Sequence, residues 1–426
     1  MKFWNGWRVS IEEWAFRLLC VSAFGMAFSL PLGRLFMVLC MGLLLWRMAR
    51  GGGRIAFPSS AWCWLAFAVL AVVVSAYGVN PALSFRKISK LIWFMGIPAA
   101  ATLATTRVRV QALLKAYVFG AGVLALDILV LRTWSAWQAG RAAVAAGGEM
   151  DLWWLIIDRG SMTHGQILMV ALTGLAGLLT IGFRWHRLEE PVNAPGERAS
   201  SAFHLSFAWG MLAAMAAALL INFKRGSWAA AGIVMVAMLA LTGRRWRVVA
   251  LIAGVAVLAL LPPVQRRVAD LRSELSLGHG GRLVMWTRIA PTLIREHPFG
   301  IGYRALDERL MQETAQRLQV SVEKNRNHLH SNPLQILVST GWVGLAVYLV
   351  WMAVGFYRGL RARLRAQDFT GRTLSLTLTL MLLGLVLNGL VEYNFGDAEL
   401  VLVYGLLFGM LESRGPAWRQ SAVRDQ

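Results

Sequence analysis

Apolar stretches long enough to cross a bilayer recur along the whole chain, separated by short turns rich in arginine. The pattern predicts helices over residues 12–30, 34–48, 60–77, 89–105, 111–133, 165–183, 204–222, 227–242, 248–263, 333–356, 373–391 and 397–412. The expected fold is all-α, a polytopic integral membrane protein of about 12 transmembrane helices with a large helical loop between helices 9 and 10. It divides into residues 1–263 with the first nine helices, the loop over 264–332, and 333–426 with the last three helices and a tail, all within a single membrane domain. The first span, "WAFRLLCVSAFGMAFSLPLG", lacks a small-residue cleavage site and reads as a signal anchor.

Short loops retain Lys and Arg on the cytoplasmic side, which sets the orientation. With the N-terminus inside, "RMARGGGR", "TTRVRV", "GRRWR" and "YRGLRARLRAQDFTGR" are cytoplasmic turns. The loops near 78–88, 223–226, 264–332 and 392–396 then face outward.

Composition agrees: 57% of residues are hydrophobic and only 15% are charged, against about a quarter charged in ordinary soluble domains. The formal net charge of +21 is in part the topology signal. The outward loop 264–332, however, holds eleven basic and seven acidic residues, and the outward turns "FRKISK" (Arg86, Lys87) and "FKRGSW" (Lys224, Arg225) add more cations. That face suits an anion, and the planar fork of arginine suits phosphate in particular. Nucleic acid is not expected there; a lipid-linked phosphate or diphosphate fits better. Cys20, Cys40 and Cys63 all fall within predicted spans and offer neither a disulfide framework nor a metal site.

Three outward segments carry candidate chemistry. In "GGRLVMWTRIAPTLIREHPFGIGY", residues 280–303, Leu283, Trp286, Ile289, Ala290, Leu293 and Ile294 recur at helical spacing. They predict an amphipathic helix lying on the membrane or against the bundle, with Arg282 at its start. Lys224 and Arg225 sit in a very short turn, where snorkelling to the interface and anion binding are equally good readings. In "NRNHLHSNPLQILVSTGWVGL", residues 325–345, His328 and His330 share a face only if the chain is extended, and Pro333 marks the change from extended chain to helix. No third ligand stands at zinc-site spacing, so no metal is expected. A histidine is the commonest general base near neutral pH, and beside a basic loop that role gains weight.

The segment "HSNPLQILVSTGWVGL" resembles the signature of the O-antigen ligase and polymerase superfamily, through His330, Leu334, Gln335, Gly341, Gly344 and Leu345. "KRGSW" resembles the family's Ser-Arg-Gly-x-Trp turn, and the 280–303 segment its Gly-Arg...Trp...Pro-x-Gly-x-Gly loop. Two positions depart: Ser331 stands where Asn is usual, with Asn332 next to it, and Lys224 stands where Ser is common. The resemblance implies an O-antigen ligase: a transferase without metal or cofactor, at the periplasmic face of the bacterial inner membrane. It would move O-antigen polysaccharide from undecaprenyl diphosphate to a sugar hydroxyl of lipid A-core, amid membrane lipid.

On that basis His330 is expected to be the general base, with Arg282 and Arg225 stabilising the departing diphosphate. Lys224, Arg288, Arg304, His328, Asn332, Gln335, Arg86 and Lys87 are expected to contact donor or acceptor. Direct attack would invert the anomeric centre, and no Asp or Glu is assigned a part. Within the superfamily, an O-antigen polymerase or a protein O-oligosaccharyltransferase is the alternative. The latter usually carries a further C-terminal region, whereas this chain stops soon after its last span. A lipid-linked sugar transporter is a third possibility, although transporters place charge at the bilayer midplane.

Overall fold

The computed structural model describes residues 10–148, 161–182, 195–243, 281–323 and 327–413, with isolated positions between 249 and 269. The predicted ninth span, most of loop residues 264–280 and the tail beyond 413 lie outside the described residues. Every regular element described is helical. Seven helices are long and apolar enough to cross a membrane: Leu30–Ala49, Ser59–Tyr77, Arg107–Ala145, Met162–Thr180, His204–Ile221, Asn332–Arg365 and Phe369–Val391. Many of their large side chains, among them Leu35, Val38, Val69 and Val73, remain exposed on the protein surface. Such apolar faces are stable in lipid and not in water. The chain is a multi-pass membrane protein.

Several predicted spans are shorter or broken. Ile11–Met26 has 16 residues and opens with Glu12 and Glu13, Arg225–Leu241 has 17, and Ala398–Glu412 has 15. The predicted helix over 89–105 is a 3-10 segment, Ser89–Met95, followed by the short helix Gly96–Leu103. Pro98 explains the break, because it has no N–H for the carbonyl one turn back and its ring crowds that carbonyl. The Arg107–Ala145 helix contains a π segment at Asp127–Arg132.

Ion pairs tie one end of the bundle together. Arg107 holds Asp368 in a two-pronged contact of 2.8 and 2.9 Å, and Arg109 reaches Glu12 at 2.7 Å and Glu13 at 3.3 Å. The Glu412 carboxylate accepts the backbone N–H groups of Ser59 and Ser60, both at 2.9 Å, satisfying donors at the start of Ser59–Tyr77. The far end of that helix meets the segment that leads to the histidines: Val79 N–H donates to Ile301 O at 2.8 Å and Ser75 Oγ accepts from Tyr303 N at 3.1 Å.

At this second end residues 281–323 and 327–331 form a cap with a core of its own. Val284, Met285, Ile289 and Leu293 pack with Ile301, Leu306, Met311, Ala315 and Leu329, and Val338 closes the cluster from the bundle. The predicted amphipathic helix is present as Arg282–Val284, a π segment Met285–Ile289 and Ala290–Glu296. Its apolar side is therefore spent within the cap.

The Asn332–Arg365 helix is interrupted at Gly341, whose φ of 69° lies in the left-handed region. A Cβ there would stand 2.6 Å from Pro298 O and from the Phe299 backbone. Gly341→Ala should therefore lower the thermal unfolding midpoint of the solubilised protein, since a left-handed non-glycine residue alone costs about 1–3 kcal/mol. Gly42→Ala, inside the Leu30–Ala49 helix and with open space around its Cβ, is the control and should not lower the midpoint.

Candidate active site

Ser331 is extended, but His330 before it turns through left-handed backbone at φ 49°, and the two histidine rings meet edge to face with centroids 4.1 Å apart. Two side chains of the following helix fix this segment. Gln335 Oε1 accepts the Leu329 N–H at 2.9 Å, and Asn332 Oδ1 accepts from Asn394 N at 2.9 Å and Phe395 N at 3.1 Å. Trp286 Nε1 donates to Leu329 O at 2.6 Å, joining the cap helix to the same strand of chain. Asn332 and Gln335, expected to contact donor or acceptor, are buried and engaged in holding backbone.

His330 is only 4% exposed, and its Nδ1 lies 3.1 Å from Glu392 Oε2. The other oxygen, Oε1, accepts from an Arg282 terminal nitrogen at 2.6 Å, while the second terminal nitrogen of Arg282 donates to Val391 O at 2.5 Å. Arg282, Glu392 and His330 thus form one chain of contacts. Burial pushes the Glu392 carboxyl up, but the hydrogen bond from His330 and the charge of Arg282 outweigh it and hold the group below its ordinary range. An ionised Glu392 accepts Nδ1–H, which makes Nε2 the basic nitrogen of a neutral ring.

His328 differs. Burial, reinforced by His330, pushes its pKa down to about 3, so it is a neutral ring and a poor proton acceptor at neutral pH. Of the two histidines only His330 has a carboxylate against its ring.

The "KRGSW" turn reaches the same place. Lys224 caps the helix that Arg225 begins, and a Cβ on Gly226 would lie 3.0 Å from Val391 Cγ2 and 3.6 Å from Glu392 Cγ. Asn388 Nδ2 donates to Ser227 Oγ at 3.4 Å. Arg225 is therefore delivered next to the turn that holds Glu392. Two cations at a helix N-terminus, itself partly positive, make a surface whose natural complement is an anion.

Arg304 stands on another side. Its guanidinium lies 5.2 Å from the centroid of the Tyr393 ring and donates to Gly396 O. Arg86 and Lys87 sit on the Pro81–Ile88 helix, within electrostatic reach of Arg304 in the case of Lys87. Arg288 is exposed, and among the described residues no hydrogen bond or ion pair brings it to this group.

Backbone strain marks the same positions. Among the described residues four non-glycine residues have positive φ: Phe223 at 51°, Arg304 at 54°, Gln319 at 52° and His330 at 49°. Two are site residues and Phe223 directly precedes Lys224, so three of the four strained positions aim the site. Each costs about 1–3 kcal/mol, which the surrounding contacts must offset.

Glu392 is the residue that sequence reasoning missed. It ends an apolar run 62 positions beyond His330, outside the three motif segments. A usable signal exists nonetheless: "VEYNFGD" places a carboxylate in the outward loop predicted at 392–396, on the same face as the histidines.

A multi-pass helical membrane protein with a buried His–Glu–Arg chain among cations at one end of its bundle is the class defined by fold and site. Residues 210–349 match the Wzy_C family model, described as O-antigen ligase. No curated protein matches the chain. The matched segment contains Lys224, Arg225, Arg282, Arg304, His328 and His330; it stops short of Glu392 and begins after Arg86 and Lys87.

Proposed function

We propose that the protein is an O-antigen ligase, transferring a glycan from undecaprenyl diphosphate to a sugar hydroxyl of lipid A-core at the periplasmic face of the inner membrane. The observation that carries the reading is the Arg282–Glu392–His330 chain, with contacts of 2.6 and 3.1 Å, at the end of the bundle where Arg225 also arrives. His330 Nε2 takes the proton of the acceptor hydroxyl as its oxygen attacks the anomeric carbon. The bond to the diphosphate oxygen breaks from the opposite side, so the configuration inverts. Glu392 holds the ring in the tautomer that leaves Nε2 basic and stabilises the imidazolium that forms. Negative charge gathers on the leaving diphosphate, and Arg225 and Arg282 are placed near it as fixed donors that need no reorganisation.

In this scheme Arg282 serves two partners. Two of its five N–H donors go to Glu392 and Val391 O. The same cation therefore orders the base and faces the leaving group.

The test is reconstitution of the purified chain with undecaprenyl-diphosphate-linked glycan and lipid A-core, in the presence of EDTA. Glycan should appear on lipid A-core. Transfer only to a second polyprenyl-linked glycan would identify a polymerase instead. In cells, deletion should leave lipopolysaccharide that ends at the core, whereas loss of a polymerase leaves single repeat units on it.

A further inference from the structure

Glu392 has extended backbone, φ −142° and ψ 147°, so the side chains of Glu392 and Tyr393 leave the chain on opposite sides. Glu392 holds Arg282, and Tyr393 lies under Arg304. The two arginines are thus separated by a dipeptide, with the histidine pair between them: His330 touches Glu392, and the His328 ring lies 6.0 Å from that of Tyr393. One cationic group is Arg282 with Arg225. The other is Arg304 with Lys87 and Lys90.

The second group has properties of its own. Among the described residues Arg86, Lys87 and Lys90 make no ion pair. Burial, and then the charges of Arg304 and Arg86, hold the Lys87 pKa below its ordinary range. Mutual repulsion of this kind is relieved by an anion. Asp397 and Glu399 also lie within reach of Lys90. Asp397 accepts from Thr163 Oγ1 at 3.3 Å, and burial holds its carboxyl above the ordinary range despite Arg304; two carboxylates beside Arg304, Arg86, Lys87 and Lys90 leave the group an excess of positive charge.

The loop that carries Arg304 also borders an apolar groove of about 260 Å³, lined by Leu70, Val73, Tyr77, Phe299, Thr340 and Val343. Tyr77 and Phe299 at its rim are 89% and 77% exposed. A cluster of cations whose Arg304 stands on the same loop as the rim of an apolar groove suits a phosphate attached to hydrocarbon better than a free anion.

Resting on the ligase reading above, we infer that Arg304, Lys87 and Lys90 bind a phosphate of the acceptor lipid's headgroup, on the opposite side of Glu392–Tyr393 from the donor diphosphate. The two lipids would then present their reacting groups to His330 from two sides, each held by its own cations. This separation keeps like-charged headgroups apart while their sugars meet.

The experiment measures binding by the full chain in detergent to a bisphosphorylated glycolipid of the lipid A type, to its dephosphorylated form and to undecaprenyl diphosphate. Wild type should favour the phosphorylated glycolipid by about tenfold or more, the size expected from losing charge-assisted hydrogen bonds. Lys87→Gln/Lys90→Gln should erase that preference and leave undecaprenyl diphosphate retention unaltered, and Lys87→Arg/Lys90→Arg should restore it. Arg282→Gln should show the reverse pattern. Equal binding of the two glycolipids by wild type would overturn the assignment. So would equal loss of both lipids in the Gln variant, which gives the cluster to the donor, or displacement by inorganic phosphate as effective as by the glycolipid, which makes it a site for a free anion. Failure of the ligase reading shows elsewhere, as absence of glycan on lipid A-core in the reconstituted system whatever the binding result.

Discussion

His330→Ala should abolish glycan transfer, with a rate loss of roughly 10²–10⁴-fold if general-base catalysis is the whole of its contribution, while the protein still reaches the membrane. The side chain is 4% exposed and its Nδ1 is engaged by Glu392, which leaves Nε2 as the nitrogen that takes the proton in this scheme. His328→Ala should retain far more activity, because burial has already made that ring a poor proton acceptor. Initial rates on purified variants, normalised to folded protein, decide between them. Comparable rates for His330→Ala and wild type would remove the histidine from the chemistry. The left-handed backbone at this position adds a warning for the choice of variant, since Ala is strained there as well. Asn adopts that conformation more readily and offers a second replacement without an imidazole.

Glu392→Gln should be nearly as damaging, and for a reason that the shape of the pH profile reveals. The amide is of similar size but carries no charge, so Arg282 loses its 2.6 Å ion pair and His330 loses the carboxylate at 3.1 Å. The interaction that holds the Glu392 carboxyl below its usual range acts equally on its partner and favours the protonated imidazole. Removing it weakens the base, so the rate should fall and the acid limb of the pH–rate curve should move to lower pH. A variant that merely loosened the fold would lose rate with the limb unmoved. The sign for stability is opposite in direction of pH: a carboxyl held low in the folded state stabilises above its unfolded pKa and ceases to as pH falls through the folded value. Glu392→Ala is a poorer test, because leaving Arg282 buried without its partner can cost about 3–5 kcal/mol.

Much of this was readable from local pattern. Helices such as Ser59–Tyr77 and Phe369–Val391 follow from continuous apolar runs bounded by polar turns, and the bounds agree closely with the 60–77 and 373–391 read from the sequence. His330, Arg282 and Arg225 stand in motifs whose glycines and prolines fix the backbone nearby, and the structure brings all three to one turn. What sequence could not supply was pairing across the bundle. The link from His330 to Glu392 is made by Asn332 clamping the backbone of Asn394 and Phe395, a tertiary contact with no periodicity to betray it. The broken helix at Ser89–Met95 was hidden for a different reason: hydropathy counts apolar residues and is blind to the missing N–H of Pro98. Asn332 and Gln335 look like ligands in a motif and serve as fasteners in the fold.

The separate core of the cap divides ownership of the candidate site. Arg282, Arg304, His328 and His330 belong to chain segments of the cap, whereas Glu392, Tyr393 and Arg225 are furnished by the bundle. The proposed base, its carboxylate and the cations come into register only where these two bodies seat against each other, along Ile301–Val338, Trp286–Leu329 and the Asn332 clamp. Activity is therefore a gauge of alignment between two packed units, and a substitution in that seam can silence the enzyme while both units stay folded.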